Sequence, residues 1–258
     1  MSLAHPAPIV KHTEVTHDAF LGGRLTIAQP AKGFRAGLDS VLLGASVGLA
    51  KGDLLDLGAG AGTAALAALT HHSGLAATLV ESDPEMVALA TANIEANNFA
   101  AQASVLPLDL TAPGRTRSAA GLKSDHFAAI IANPPFFEAG TAPSAKRAAA
   151  RHMSPEALDL WVKTAATHAA PGAEIIFIHV ADRLPALLAA FDARFGAITI
   201  LPLTPRDSEP AHRVLIRGIK GSRAPLRLLA SRALHLPDSR TFRPEFEAIF
   251  RGDDRLHW

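Results

Sequence analysis

The sequence predicts an α/β protein built on an open, mostly parallel sheet. Short apolar runs alternate with helix-length segments along most of the chain, the pattern of successive βαβ units. Runs such as IIA and EIIFI are apolar without alternation, as strands covered on both faces are. Residues 197–203 and 213–219 are apolar runs with no helical segment between them, so they form a hairpin containing one antiparallel strand. Ligands on such sheets bind beyond the carboxyl ends of the strands.

Taken in order, residues 1 to about 15 form a loose leader. Ala19–Pro30 holds two short apolar runs around Gly22-Gly23, a hairpin turn. Ser40 to Ala50 reads as a helix. Strands follow at 54–57, 76–81, 103–106, 127–132, 174–180, 197–203 and 213–219. Helical spacing occupies 63–71, 83–98, 155–169 and 184–195 between them. Ser154-Pro155-Glu156 opens its helix with a capping hydroxyl, a proline in the first turn and an acid at the positive dipole end.

Composition narrows the function classes. The chain has 258 residues, enough for one large domain at roughly 150 residues per domain as a soft prior. The apolar share of 48% against 19% charged excludes intrinsic disorder. Cysteine is absent, which removes disulfides, thiol catalysis and cysteine metal sites and makes a cytoplasmic location the expectation. Lys and Arg (25) nearly balance Asp and Glu (24), so nucleic-acid binding would need a local patch. The uncharged part of Leu57 to Val80 is interrupted by Gly58, Gly60, Gly62, His71, His72, Ser73 and Gly74, so no membrane span is expected, and no secretory signal is read at the N-terminus.

The sharpest motif is Asp56-Leu57-Gly58-Ala59-Gly60-Ala61-Gly62-Thr63, between a strand and a helix. Glycines permit the tight turn and admit a ligand close to the backbone. A dinucleotide fingerprint requires G-x-G-x-x-G, whereas the spacing here is G-x-G-x-G, with Thr63 at the last glycine position. Asp56 would repel a phosphate but suits the α-amino group of a cationic ligand. Glu81 ends the next strand, where an acid can bond ribose hydroxyls. Together they favour S-adenosylmethionine over NAD. Asp109, after the third strand, reads either as an acceptor for an adenine amino group or as a turn former.

The second motif, Asn133-Pro134-Pro135-Phe136, ends the buried strand 127–132. Two prolines fix φ and remove two donors, leaving carbonyls in a rigid frame. The Asn133 side-chain oxygen and the Pro134 carbonyl can accept both hydrogens of a planar NH₂, and Phe136 can stack on the plane that carries it. Two aligned acceptors favour a pyramidal nitrogen whose lone pair faces an electrophilic methyl, so the protein's contribution is orientation and electrostatics.

DLGAGAGT, VESD, LDL and NPPF, in that order, resemble the class I S-adenosylmethionine-dependent methyltransferases that carry an Asn-Pro-Pro-aromatic signature. These are Rossmann-like enzymes that act on adenine N6, guanine N2 or protein glutamine. FLGGRLTIAQPAKGFRAGLDSVLLGA and RVLIRGIKGSRAPLRLLASRALH are similar to the small-domain group that includes bacterial tRNA(Val) adenine-N6 methyltransferases. Ala128 departs from that pattern, since many members have Asp there. The resemblance covers about residues 16–250 and implies one methyltransferase domain over 16–258, with a C-terminal extension over 220–258. It implies a seven-stranded sheet in the order 3-2-1-4-5-7-6 with strand 7 antiparallel. By the same resemblance Asp56, Gly58 and Gly60 serve the methionine part of the cofactor, Glu81 its ribose and Asp109 its adenine, with Gly62 also in the cofactor site. Asn133 to Phe136 hold the target nitrogen, and the stretch with Arg35 and Asp39 closes over the cofactor.

The implied activity is methylation of adenine N6 in tRNA, or in another single-stranded RNA whose base can be splayed into a pocket. A protein glutamine, guanine N2, or a small-molecule oxygen or nitrogen are the other acceptors, and a non-enzymatic binder of the same fold is the third reading. Two basic groups, Lys146, Arg147, Arg151 and His152, and Lys220, Arg223, Arg227 and Arg232, are either solvated surface or phosphate contacts. The twelve histidines show no metal-ligand spacing, and His71, His72 and His179 read as structural or surface residues. No G-x-S-x-G is present to support a hydrolase.

Overall fold

The computed structural model describes residues 14–33, 35–135 and 154–258. Its main sheet contains β3 (Lys51–Leu57), β4 (Gly74–Glu81), β5 (Ala103–Pro107), β6 (Phe127–Ala132), β7 (Ala169–Val180), β8 (Phe195–Thr204) and β9 (Arg213–Lys220). They lie in the order β5-β4-β3-β6-β7-β9-β8, with β9 antiparallel to both its neighbours and the other pairings parallel. This is the expected 3-2-1-4-5-7-6 order. Two short strands, β10 (Arg227–Leu228) and β11 (Arg232–Ala233), extend the edge by pairing with β8, so the sheet has nine strands rather than seven.

Helices α1 (Leu38–Ala45), α2 (Thr63–His71), α3 (Pro84–Ala96), α4 (Gly114–Ala119), α5 (Pro155–His168), α6 (Leu184–Asp192) and α7 (Pro244–Arg251) complete the fold. Alternate strand residues feed two separate apolar layers. Leu54, Ala129 and Ile131 join the layer beneath α1 and α2, while Leu55, Leu57, Ile130 and Ala132 join the layer beneath α5 and α6. Covering on both faces is why these strands read as unbroken apolar runs. As the sequence suggests, α5 starts at Pro155, with the Ser154 hydroxyl accepting from Ala157 N at 3.2 Å.

Several boundaries differ from expectation. The first hairpin is longer: β1 (Val15–Phe20) pairs with β2 (Leu25–Pro30) across a 3-10 turn at Leu21–Gly23. Val15 is therefore strand rather than leader, and residues 1–13 of that leader lie outside the described residues. Helix α1 begins at Leu38 and ends at Ala45 instead of spanning 40–50. Ser46 caps it, its hydroxyl donating to Leu43 O at 2.7 Å, and the chain beyond is held by Glu174, which accepts from Gly48 N and Leu49 N at 2.8 and 3.0 Å. The extension after 220 contains α7, whose Phe246 and Ile249 are buried beside the hairpin turn and α1. Among the described residues no helix is long and apolar enough to cross a membrane.

Candidate active site at the carboxyl ends of the strands

A crevice open to solvent lies where β3 and β6 end. The hairpin supplies Gln29 and Pro30, the approach to α1 supplies Ala36 and its first turn Ser40, and the end of β3, the turn after it and the start of α2 supply Asp56, Gly58 and Thr63. Met86 and Asn133 also line the crevice. Of the sequence-designated residues, the structure thus brings together Asp56, Gly58 and Asn133.

The turn after β3 is a left-handed glycine run, with φ of +67° at Gly58, +56° at Gly60 and +87° at Gly62. Its glycines have different tasks. A Cβ at Gly58 would overlap Trp161 Cη2, and one at Gly62 would lie 2.8 Å from Leu79 Cδ2, so both are required by packing as well as by φ. A Cβ at Gly60 would meet nothing within 4 Å. Gly58 N and Ala59 N donate to Val80 O, and Gly60 N donates to Glu81 Oε2 at 2.9 Å. Glu81 Oε1 accepts from Ser82 N and Asp83 N at 2.7 and 2.9 Å. The carboxylate therefore braces the glycine turn against the start of α3.

Asp56 sits at the end of β3 with 2% of its surface exposed, and its Oδ2 accepts from Ala65 N at 3.2 Å. Burial, and less strongly the nearby Glu81 charge, push its carboxyl up to about 7 against the lowering effect of the Ala65 bond. The group is poised to be ionised by a cation placed beside it.

Asn133 follows the last residue of β6. Its side-chain Oδ1 is buried and has no hydrogen-bond partner among the described residues, and the same holds for Thr63 Oγ1 at the start of α2. Two orphaned oxygens lining one crevice are unusual, because buried acceptors are nearly always satisfied. Pro134 is buried and Pro135 half-buried next to Asn133, while Phe136 lies outside the described residues.

Asp109 is exposed beyond the end of β5, and its Oδ1 accepts from Thr111 N at 2.8 Å and Thr111 Oγ1 at 2.6 Å. This is a turn-forming arrangement. Arg35 and Asp39 are not in the crevice wall: Arg35 pairs with Asp18 at 2.6 Å and Asp39 with Arg213 at 2.8 Å. These pairs pin the ends of the segment that presents Ala36 and Ser40. The basic residues Lys146, Arg147, Arg151 and His152 lie outside the described residues. In the tail group, Lys220 ends β9 at the far end of the sheet and donates to Asp125 and to the carbonyls of Ala166 and Ala169.

Sequence reasoning missed Gln29, Ser40, Thr63 and Met86. Gln29 had a signal, being a polar residue in an otherwise apolar run, and it is 2% exposed. It donates to Asp18 and accepts from Ala36 N at 2.9 Å. Asn93, also missed, bonds both the N–H and the C=O of Ala28 and the C=O of Ala61, tying the hairpin to the glycine turn. Among the described residues no cluster of three or more His, Cys, Asp or Glu could hold a metal.

The family model described as "Methyltransferase small domain" matches residues 39–184, more than half of the chain. A solved structure from Agrobacterium tumefaciens, described as a predicted O-methyltransferase, is 30% identical, with a TM-score of 0.72 over 84% of this chain and 98% of that one. The T. thermophilus 16S rRNA N2 G1207 methyltransferase, solved with AdoMet and guanosine, shares the fold at 22% identity, TM-score 0.55, over 84% of this chain and 53% of that one. A tRNA (m1A58) methyltransferase from Aquifex aeolicus shares it at 16% identity, TM-score 0.53, over 75% and 72%. No curated protein matches the chain. With the family match spanning the glycine turn and Asn133, the chain belongs to the methyltransferase small-domain family and is an S-adenosylmethionine-dependent methyltransferase.

Proposed function

We propose that this methyltransferase acts on nitrogen, and that its acceptor is the exocyclic N6 amine of adenine in tRNA. The observation that carries the reading is the buried Asn133 Oδ1, an acceptor without a donor in the wall of the crevice. An NH₂ group entering beside it would supply the missing hydrogen bond, and the Pro134 carbonyl accepts the second hydrogen. Phe136 stacks on the ring that bears the amine. The proton needs no strong base at the outset, since the nitrogen becomes acidic only as it gains the methyl.

The crevice fits the cofactor of the family. Asp56 holds the α-ammonium, and the loss of its proton on that contact removes a buried neutral acid in favour of an ion pair. Thr63 Oγ1 offers a second unpartnered polar atom, and Gly58, Gly60 and Gly62 shape the turn beneath the methionine part. Glu81 serves the ribose and Asp109 the adenine. The bound cofactor supplies a methyl made electrophilic by a positively charged sulfur.

A net charge of +1 argues against tight binding to long duplexes and for a local RNA contact. A base has to leave its stack to reach a crevice of this kind, so an unpaired tRNA nucleotide is the natural target. The description of the 30% identical relative favours a second reading, a hydroxyl acceptor. The two separate on hydrogen count: paired oxygens suit an NH₂, which has two hydrogens to give, better than an OH, which has one.

Labelled cofactor incubated with total tRNA, total protein and a pool of small hydroxyl compounds tests the proposal. Label in N6-methyladenosine of tRNA is the expected result. Label in glutamine, in guanine N2 or in a small-molecule ether, with none in adenosine, overturns it.

A further inference from the structure

We infer that Arg117, paired with His168, is a positioning residue that sets the cofactor's adenine selectivity by holding the Asp109 turn from beneath. The inference rests on the reading of Asp109 proposed above. Arg117 belongs to α4 and is buried at 8% exposure, yet among the described residues it makes no ion pair with a carboxylate. A buried guanidinium is costly unless its donors are satisfied.

One of its terminal nitrogens serves the Asp109 turn. Nη1 donates to the carbonyls of Leu110 and Ala112 at 3.3 and 2.6 Å, the two peptide oxygens that flank Thr111. Thr164 Oγ1, from α5, donates to the same Leu110 carbonyl at 3.3 Å. Thr111 in turn donates its N–H and its hydroxyl to Asp109 Oδ1. Both of these bonds fall on Oδ1, and among the described residues Asp109 Oδ2 is left for a ligand. The chain of contacts runs from a buried cation, through two carbonyls and one threonine, to the orientation of one exposed carboxylate.

His168 keeps the cation in register. Arg117 Nε donates to His168 Nε2 at 3.2 Å, and His168 Nδ1 donates to Lys123 O at 2.9 Å. Those bonds require the neutral ring protonated on Nδ1. Burial lowers the imidazole's proton affinity and the guanidinium beside it lowers it further, which favours that form. Arg117 and His168 thereby satisfy each other at a site where an acid would have neutralised Arg117 but fixed no ring.

The distinguishing property is discrimination between adenine and hypoxanthine, because the 6-amino group donates to a carboxylate and the 6-oxo group of hypoxanthine does not. Binding of S-adenosylhomocysteine and S-inosylhomocysteine to the full-length chain is measured by calorimetry. Wild type is expected to prefer the adenine compound by about tenfold or more. Asp109→Ala is expected to erase the preference; if it does not, the reading of Asp109 fails and this inference with it.

Arg117→Met is expected to reduce the ratio several-fold while the protein stays folded by circular dichroism. Should Arg117→Met unfold, Arg117→Lys decides in its place: it retains a cation for Ala112 O but has no Nε for His168, and the ratio is expected to fall part way. An Asp109→Ala effect together with an unchanged ratio in whichever Arg117 variant is folded overturns the inference and leaves Asp109 standing.

Discussion

Gly58 lies against the indole of Trp161, so that any side chain at Gly58 would occupy the space of the ring. The contact joins the glycine turn after β3 to α5, and it leaves no room for the turn to take a side chain there. Gly58→Ala combines that overlap with a φ of +67°, which alone costs about 1–2 kcal/mol in an L-residue. The variant is expected to melt at least several degrees lower and to lose cofactor binding, measured by calorimetry. Gly60→Ala, with the same hand of backbone but open space, is expected to show only the conformational cost and to bind cofactor measurably.

The orphaned oxygen of Asn133 makes opposite demands on stability and activity. Removing an unsatisfied buried acceptor relieves a desolvation cost of about 1–3 kcal/mol, which offsets the packing lost with the side chain. Asn133→Ala is expected to keep its melting temperature within a few degrees of wild type and to bind cofactor normally. Methyl transfer is expected to fall about 10²–10³-fold, the usual consequence of deleting one preorganised hydrogen-bonding group. A variant that transfers methyl at the full rate would remove Asn133 from the chemistry.

The strands were legible because burial on both faces leaves their sequences continuously apolar, and the sheet order followed from the resemblance. In the crevice, Asp56, Gly58 and Asn133 announce themselves by their place at strand ends. What could not be read depends on partners far away in sequence. Asp39 is matched to Arg213 across 174 positions, and the chain after α1 is held by Glu174, reaching across from β7. In α7, Phe246, Ile249 and Phe250 stand at i, i+3 and i+4, a helical signal the sequence did offer, though over only eight residues. Gln29 and Asn93 are buried polar residues whose purpose appears only once the hairpin is folded against the glycine turn.

Asp56 gives the protein a pH signature. Between the ordinary aspartate range and pH 7 the folded chain holds a proton on Asp56 that the unfolded chain has released. Its contribution to stability is therefore complete at low pH, falls as pH rises across that window and levels off above it. Asp56→Asn is expected to flatten this part of the stability profile, followed by denaturant melts from pH 4.5 to 8. Binding of the cationic cofactor at pH 6 is expected to release a proton, seen as a binding enthalpy that varies with the ionisation enthalpy of the buffer. Asp56→Asn abolishes that release if Asp56 is its source.

Asp18 controls the opposite wall of the crevice without lining it. Its Oδ2 accepts from Gln29 at 2.7 Å, Arg35 at 2.6 Å and Thr16 at 3.0 Å, and the Gln29 bond is the largest of the effects holding its carboxyl below the usual aspartate range. Gln29 then fixes Ala36, which lines the crevice beside it. Because the Asp18–Arg35 pair is partly exposed, its loss is expected to cost no more than about 1 kcal/mol of stability. The larger effect of Asp18→Ala falls on binding, since Gln29 is left buried with an amide donor unpaired and the 35–37 segment loses its anchor. Steady-state kinetics are expected to show a raised KM for the cofactor with kcat nearly unchanged. A fall in kcat at constant KM would instead place this wall in contact with the methyl acceptor.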